Sequence, residues 1–276
     1  MTNSLLPRLL RRFSPNPAAG QDLVAEKDLP LIRVSPQRPQ FKHYVFICGL
    51  HRSGTTLLER HIRAQFAVSA LEAPVYESEG QHLQDVYPAG LKHGGAGRFA
   101  FAPEMYPDIP DEQTATASRE RLLDCWGSWL TEPSDTLLEK SPPNLTKVPW
   151  LRRVFPGARF IVMTRDPRAV AAATEKWSGT SFEELVFHWH VAHSAALADE
   201  AEDCVRIRYE DFCDDPVGEI KRVASSAGLK RKPAETVEDE RFTKLANSNA
   251  KYLDTLAARR FGKGAWTEYG YDLEGA

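Results

Sequence analysis

Gly49-Leu50-His51-Arg52-Ser53-Gly54-Thr55-Thr56 joins an apolar run to a segment with helical character. The run before it is Tyr44-Val45-Phe46-Ile47-Cys48, and the segment after it is Leu57-Leu58-Glu59-Arg60-His61-Ile62-Arg63. A strand, a tight turn and a helix are therefore predicted in succession. The backbone N–H groups of such a turn, together with the positive end of the following helix, form a cradle for an anion.

The turn has the spacing of a nucleotide P-loop, because four residues separate Gly49 from Gly54. A P-loop normally has a lysine after its second glycine, but Thr55 stands there and the nearest cation lies upstream, at Arg52. The loop therefore suits a phosphate, but not a γ-phosphate held on Mg²⁺ by a P-loop lysine. A glycine-rich turn with a purely structural role is the alternative for this segment alone.

The rest of the chain alternates predicted strands with predicted helices. Strands are expected over residues 44–48, 136–139, 159–164 and 204–209, and helices over 55–65, 112–130, 144–155, 166–176, 182–196 and 216–229. This alternation predicts an α/β fold, P-loop NTPase-like, with a central parallel sheet flanked by helices on both faces. Residues 41–276 are expected to form this single domain. Residues 1–40, interrupted by six prolines, are expected to be a partly flexible arm.

Composition excludes several other classes of protein. A net charge of −3 gives no electrostatic case for binding nucleic acid. His188 and His190 are two residues apart and cannot share a helix face, and no Cys or Asp completes a site with them, so no metal site is predicted. No apolar run approaches the length of a membrane span. We expect a cytoplasmic protein, whose basic amphipathic residues 5–13 also suit peripheral contact with a membrane.

A second cluster, Arg159-Phe160-Ile161-Val162-Met163-Thr164-Arg165-Asp166-Pro167-Arg168, places an arginine at the end of an apolar strand. Ligands of open α/β sheets bind beyond the carboxyl ends of the strands, so Arg165 is expected to lie near the first loop. A guanidinium there can hold a phosphate through two hydrogen bonds. The alternative is a surface turn formed by Arg165 and Asp166.

These two clusters resemble the sulfotransferases that use 3′-phosphoadenosine-5′-phosphosulfate (PAPS). Arg52-Ser53-Gly54-Thr55-Thr56 is similar to their 5′-phosphosulfate loop, and Arg165-Asp166-Pro167-Arg168 is similar to their 3′-phosphate motif. The serine of that motif is replaced by Ala173, and the neighbouring Thr174 is expected to substitute for it. Ser248-Asn249-Ala250-Lys251-Tyr252-Leu253 and Gly270-Tyr271-Asp272-Leu273 resemble the C-terminal segments of bacterial members.

The resemblance implies a set of residues around PAPS. The expected cofactor-binding residues are Arg52, Ser53, Gly54, Thr55, Thr56, Arg165, Thr174, Tyr209 and Ser248. Tyr209 is included because Arg206-Ile207-Arg208-Tyr209-Glu210-Asp211-Phe212 resembles the strand whose tyrosine lies near the cofactor in the tyrosine-directed branch.

The resemblance also implies catalytic residues. Lys140, at the end of a predicted strand, corresponds to a catalytic lysine of the tyrosine-directed branch; an ion pair with Glu139 or another carboxylate is the alternative. Arg52 and Lys140 would stabilise charge on the transferring group. Glu79 is the preferred general base, followed by Glu77, His82 and Glu72.

The expected function is transfer of a sulfuryl group from PAPS to a hydroxyl acceptor by in-line displacement. The acceptor is a small molecule, a carbohydrate or a lipid, and residues 87–110, rich in glycine and aromatic residues, are expected to shape its entrance. Two alternatives stay open. A P-loop kinase would need the lysine that the loop lacks, and a non-catalytic nucleotide-binding scaffold is suggested by the missing serine at Ala173.

Overall fold

A computed structural model of the chain describes residues 23–233, 244–256 and 259–274. Its strands are β1 (His43–Gly49), β2 (Ser69–Ala70), β3 (Thr136–Lys140), β4 (Arg159–Thr164) and β5 (Cys204–Arg208). They form one sheet in the order β2-β3-β1-β4-β5, and every neighbouring pair is parallel.

The α-helices are α1 (Thr55–Gln65), α2 (Gly95–Arg98), α3 (Glu112–Trp126), α4 (Val148–Val154), α5 (Pro167–Ser178), α6 (Phe182–Ala198), α7 (Tyr209–Asp214), α8 (Pro216–Ala227), α9 (Ala250–Leu256) and α10 (Ala265–Glu268). Short 3₁₀ turns occupy much of the segment from residue 76 to residue 105, and another covers Pro142–Thr146. None of the helices in the described part of the chain combines the length and apolarity needed to cross a bilayer.

The sheet lies between two hydrophobic layers. Phe46 and Phe160 pack into the larger core on one face, whereas Val45, Ile47 and Ile161 pack into the smaller core on the other. Alternate residues of a strand point to opposite faces, so strands covered on both sides read as continuous apolar runs. The predicted α/β sheet with helices on both faces is confirmed.

Several boundaries differ from those expected. The helix predicted over 144–155 is divided, because the 3₁₀ turn Pro142–Thr146 ends at Lys147 and α4 starts afresh with Pro149 in its first turn. A proline deeper in a continuous helix would lack its N–H and clash with the preceding turn. The helix predicted to reach residue 130 ends at Trp126 and continues only as a 3₁₀ turn. Tyr209 starts α7 rather than ending β5.

Residues 23–40 lie against the body of the protein. The N–H of Val24 donates to the carbonyl of Pro74 at 2.8 Å, and that of Leu31 donates to the carbonyl of His82 at 2.8 Å. The side chain of Leu29 is buried in the larger core. The domain boundary at residue 41 stays a prediction, and the basic residues 5–13 lie outside the described residues.

Candidate active site

The loop between β1 and α1 is shaped by its glycines. Gly54 has φ +105°, and a Cβ placed on it would lie 2.8 Å from the Met163 Cε and 2.9 Å from the ring of Tyr209. Ser53 is buried, and its Oγ donates to the carbonyl of Leu50 at 2.6 Å. Helix α1 starts without a side-chain cap at Gly54. The N–H groups of its first turn therefore face the loop without a side-chain acceptor from that position, as an anion site requires.

Arg165, at the end of β4, lies directly beside this loop. Its side chain donates from Nη1 to the carbonyl of Arg52 at 2.9 Å, from Nη2 to Ser248 Oγ at 3.0 Å and from Nε to Asn249 Oδ1 at 2.7 Å. The guanidinium carbon lies 4.3 Å from the centre of the Tyr209 ring. Arg165 is only 6% exposed, so it does not form the surface turn with Asp166 that was the alternative.

A further set of hydrogen bonds holds the residues around Arg165 in place. The hydroxyls of Tyr209 and Ser248 lie 3.0 Å apart. The carboxylate of Glu210 accepts from the Asn249 amide at 2.6 Å and from the Tyr271 hydroxyl at 2.8 Å. The loop, β4, α7 and the C-terminal segment therefore meet at one point, as the predicted positions of Arg165, Tyr209 and Ser248 imply.

Lys140 lies on the other side of the loop, at the end of β3. Its Nζ donates to the carbonyl of Glu77 at 2.9 Å and lies 3.5 Å from Glu79 Oε1, and both Lys140 and Glu79 are buried. Lys140 therefore pairs with Glu79 and not with Glu139. Burial alone would lower the pKa of Lys140, but Glu79, Glu59 and Glu77 raise it above its ordinary value.

Glu79 is the buried carboxylate among the four candidate bases. Burial would raise its pKa, but the charges of Lys140, His51 and His82 and a hydrogen bond from Gln81 together hold the pKa below its ordinary value. That bond runs from Gln81 Nε2 to Glu79 Oε2 at 2.6 Å. Glu79 is consequently a carboxylate at neutral pH.

The other three candidates have different surroundings. His82 is buried, and its Nε2 lies 3.8 Å from Glu79 Oε2. The side chain of Glu77 is exposed while its carbonyl accepts from Lys140. Glu72 is exposed and pairs with Arg63 at 3.0 Å. The choice of Glu79 as base stays a prediction, and its contact with Lys140 favours it.

The turn that presents Glu79 is strained. Glu77 has φ +49° and Ser78 has φ +51°, which are left-handed conformations that cost free energy for residues other than glycine. The bond from Lys140 to the carbonyl of Glu77 and the bond from the Ala73 N–H to Ser78 Oγ, 3.1 Å long, hold the turn. Sequence reasoning missed this turn, because nothing in Glu77-Ser78 suggests positive φ angles.

Glu139, next to the end of β3, holds the segment that follows Glu79 through hydrogen bonds. Sequence reasoning also missed this role. The Glu139 carboxylate accepts from the Gly80 N–H at 3.0 Å, from Ser141 Oγ at 2.6 Å and from Asn144 Nδ2 at 2.6 Å. Burial raises its pKa to about 7, although the bonds from Ser141 and Asn144 oppose the rise. The signal available in the sequence was a glutamate immediately before Lys140 and directly after the apolar Leu137 and Leu138.

His51, in the loop, packs its ring edge-on against Phe99 and Trp177. Burial lowers its pKa to about 4, with Glu79 opposing and Lys140, His82 and Arg52 reinforcing the change. Arg52 itself has φ +69° and an exposed side chain.

The histidines of α6 take part in three separate structural contacts. His188 Nε2 accepts from the Ala100 N–H at 3.1 Å, His190 Nδ1 accepts from the Ala265 N–H at 2.9 Å, and the His193 ring stacks on Trp189. No group of three potential ligands is arranged for a metal within the described ranges. Thr174 is buried, and its predicted role beside a 3′-phosphate stays a prediction.

The parallel sheet, the loop at the end of its central strand and the helix that follows define an α/β protein of the P-loop NTPase-like class. Residues 45–233 match the family described as "Sulfotransferase family". The chain belongs to this family, within the superfamily of PAPS-dependent sulfotransferases, and is an enzyme.

A curated relative agrees with the family match. The chain is 26% identical over 207 residues to "Protein-tyrosine sulfotransferase 1" of Danio rerio, in an alignment that covers 70% of this chain and 52% of that protein. The chain thus spans about half the length of this relative.

Two solved structures share the fold. Sulfotransferase STF9 from Mycobacterium avium has a TM-score of 0.52 at 17% identity, covering 86% of this chain and 79% of its own. Sulfotransferase STF1 from Mycobacterium tuberculosis H37Rv has a TM-score of 0.50 at 13% identity, covering 84% and 74%. At these identities the likeness concerns the fold alone.

Proposed function

We propose that the protein transfers a sulfuryl group from PAPS to a hydroxyl acceptor by in-line displacement. The observation that carries this proposal is the order of the strands around the loop. Strand β1 leads into the loop before α1. On one side of β1, Arg165 directly follows β4, and on the other side Lys140 is the last residue of β3. A nucleotide lying across these strand ends has its 3′-phosphate at Arg165 and its reacting end towards Lys140.

In this proposal some residues bind the nucleotide and others stabilise the group being transferred. The loop from Ser53 to Thr56 holds the 5′-phosphate with backbone N–H groups, and Arg165 holds the 3′-phosphate. Arg52 and Lys140 stabilise the charge that develops on the sulfuryl oxygens and on the bridging oxygen. Because the pKa of Lys140 is raised, its charge persists through the neutral pH range.

Glu79 is proposed to accept the proton of the acceptor hydroxyl. As the acceptor oxygen bonds to sulfur, the bond from sulfur to the 5′-phosphate oxygen breaks and 3′-phosphoadenosine-5′-phosphate (PAP) leaves. The attacking hydroxyl becomes much more acidic during this step. A carboxylate with a lowered pKa can therefore still take the proton, provided that it is correctly placed.

The direct experiment is a turnover assay with PAPS and a panel of acceptors, following PAP release and the mass of the product. A tyrosine peptide belongs in the panel because a relative is named a protein-tyrosine sulfotransferase; a simple phenol, an aliphatic alcohol and a sugar complete it. We expect a product heavier by one sulfuryl group. Phosphorylation with ATP and Mg²⁺ would favour a kinase, and PAP binding without turnover on any acceptor would favour a scaffold.

A further inference from the structure

Arg52, in the loop between β1 and α1, has a strained backbone. Its φ of +69° is a left-handed conformation, which costs free energy for any residue that carries a Cβ. The side chain of Arg52 is exposed, so packing of its own guanidinium does not hold the backbone in this conformation. Strain of this kind persists only where the surrounding structure fixes the residue from several sides.

Hydrogen bonds fix the chain on the carbonyl side of Arg52. The Arg52 carbonyl accepts from Arg165 Nη1 at 2.9 Å. The next residue, Ser53, is buried, and its N–H and its Oγ both donate to the carbonyl of Leu50, at 3.1 Å and 2.6 Å. On the amino side of Arg52 the neighbouring residue is His51, which is held in a different way.

The ring of His51 packs against two other aromatic rings. Its centroid lies 6.0 Å from that of Phe99 and 6.3 Å from that of Trp177, with interplanar angles of 65° and 69°. Aromatic rings attract one another in such edge-to-face arrangements. Phe99 is fully buried, and the indole of Trp177 donates to the carbonyl of Ala173 at 3.1 Å. Both rings that contact His51 are therefore fixed themselves.

His51 makes these contacts as an uncharged ring. Burial lowers its pKa to about 4, so the imidazole is neutral at neutral pH. Its Nδ1 is buried and has no hydrogen-bond partner among the residues that the structure describes. Packing of the ring, rather than a hydrogen bond from Nδ1, therefore holds the side chain of His51.

We infer that His51 is a positioning residue: its ring, packed against Phe99 and Trp177, holds Arg52 in the left-handed conformation and so directs the Arg52 guanidinium at the transferring group. The inference rests on the proposed sulfuryl transfer, in which Arg52 stabilises the charge on that group. Alignment of this cation matters because displacing a catalytic group by 1 Å can cost about 10²-fold in rate.

The test compares His51→Ala, which removes the ring, with His51→Phe, which keeps an aromatic ring and removes both nitrogens. His43→Ala is the matched control, because His43 is exposed at the start of β1, at the opposite end of the strand from the loop. Turnover is measured with PAPS and the acceptor of the panel above that the wild type sulfates fastest. Calorimetry with PAP shows whether the fold and the nucleotide site persist.

We expect His51→Ala to lower kcat by about tenfold or more, while PAP affinity changes by less than about threefold. His51→Phe should keep kcat within about threefold of the wild type, because the edge-to-face packing is retained. Its pH–rate profile should also match that of the wild type, since the imidazole of His51 is uncharged in the neutral range. His43→Ala should change neither kcat nor PAP affinity.

A double variant shows whether His51 acts through Arg52. Arg52→Met removes the cation, so His51→Ala then has no guanidinium left to misalign. Adding His51→Ala to Arg52→Met should therefore lower kcat by less than about threefold further, as expected for residues whose effects are coupled. If His51→Ala does not fold, Trp177→Ala replaces it in both comparisons, because Trp177 is 44% exposed and its loss leaves no hole in the core.

Three results would overturn the inference while leaving sulfuryl transfer intact. The first is an unchanged kcat in a folded His51→Ala or Trp177→Ala variant. The second is an equal loss in His51→Phe and His51→Ala, which would assign the effect to the imidazole nitrogens. The third is full additivity with Arg52→Met. Absence of PAP binding or of any PAPS-dependent turnover in the wild type would instead count against the proposed function itself.

Discussion

At the residue scale, the proposed transfer depends on two buried charges that meet at the end of β3. The Lys140 ammonium and the Glu79 carboxylate lie 3.5 Å apart, and each shifts the pKa of the other towards the charged form. Their attraction is strong because both groups are shielded from water. A pair held in this way before substrate arrives can act on the transition state without reorganising.

Lys140→Met keeps the length of the side chain and removes its charge. We expect kcat to fall by about 10²–10³, because a preorganised donor to the transition state is lost, while PAP affinity stays close to that of the wild type. Lys42→Met is the matched control, since Lys42 is exposed and pairs only at the surface with Asp135. Equal losses in PAP affinity and kcat would assign Lys140 to nucleotide binding.

Glu79→Gln keeps the shape of the side chain and removes its ability to accept a proton. Turnover with an alcohol acceptor should collapse while PAP affinity is retained, which steady-state kinetics and calorimetry together measure. Glu132→Gln serves as control, because Glu132 is exposed and pairs with Lys232. Near-normal turnover in Glu79→Gln, with a collapse in Glu77→Gln or His82→Ala, would place the base at one of those residues.

The sequence could indicate Lys140 and Arg165 because each stands at the end of a predicted strand, where ligands of α/β sheets bind. The environment of Glu79 was not predictable in the same way. Four residues with comparable chemistry lie in that region, and only tertiary packing buries Glu79 while leaving Glu72 at the surface. Glu139 was missed because its partner at Gly80 lies far away along the chain.

At the element scale, the segment Gly80–His82 is fastened to the end of β3 by its backbone. The Gly80 N–H donates to Glu139 at 3.0 Å and the Gln81 N–H donates to Ser141 Oγ at 3.1 Å. The indole of Trp126 donates to the carbonyl of Gly80 at 3.1 Å. The position of Glu79 therefore depends on a contact between two elements, rather than on its own side chain.

Gly80→Ala tests this contact between elements. A Cβ at this position would lie 2.6 Å from Glu139 Oε1, and that carboxylate is fixed by two further hydrogen bonds and cannot easily yield. We expect turnover to fall by about tenfold or more, since displacement of a catalytic group by 1 Å can cost about 10²-fold, while PAP still binds. Unchanged turnover in a folded Gly80→Ala protein would show that the anchoring has no catalytic consequence.

Strands and long helices could be read from the sequence because their apolar periodicity extends over many residues. Helix α1 and strand β4 begin and end where expected. The break at Lys147 was missed, although Pro149 contained the signal for it. The short β2 strand, Ser69–Ala70, was also missed, because two residues carry too little pattern to be recognised.

At the scale of the whole molecule, stability should depend on a lysine buried in the larger core. Lys147 is 1% exposed, and its Nζ donates to the carbonyl of Pro143 at 3.3 Å. Burial lowers its pKa to about 7, although Glu139 and Cys48 oppose the change. The folded protein therefore binds this proton more weakly than the unfolded chain does, and folding is penalised below the ordinary lysine pKa.

This penalty has a definite sign and pH window. Lys147 should make the protein more stable as pH rises from 7 towards 10, because over this range the unfolded chain still binds the proton that the folded protein has already released. Lys147→Met lacks this titration. The unfolding free energy of Lys147→Met minus that of the wild type should therefore fall by about 2 kcal/mol from pH 7 to pH 9, measured with urea. A difference independent of pH would contradict the buried charge.

The order of the strands could not be read from the sequence, although their parallel direction could. Alternating strands and helices predict crossovers but leave open which strand neighbours β1. That order places Arg165 and Lys140 on opposite sides of the loop, and so it underlies the proposed orientation of the nucleotide. Residues 29–31 likewise reach the segment next to Glu79 only through a contact between residues distant along the chain, the hydrogen bond from the Leu31 N–H to the carbonyl of His82.

The proposed function places a 3′-phosphorylated nucleotide across the strand ends, with its 3′-phosphate on Arg165. Calorimetry of PAP and AMP binding to the wild type and to Arg165→Ala tests this placement. The wild type should bind PAP more tightly than AMP by roughly 2–4 kcal/mol, the free energy of a pair of charge-assisted hydrogen bonds. Arg165→Ala should bind the two nucleotides about equally, and its remaining AMP affinity shows that the loop is intact. Equal affinities in the wild type, or an undiminished preference for PAP in Arg165→Ala, would show that Arg165 does not hold a 3′-phosphate.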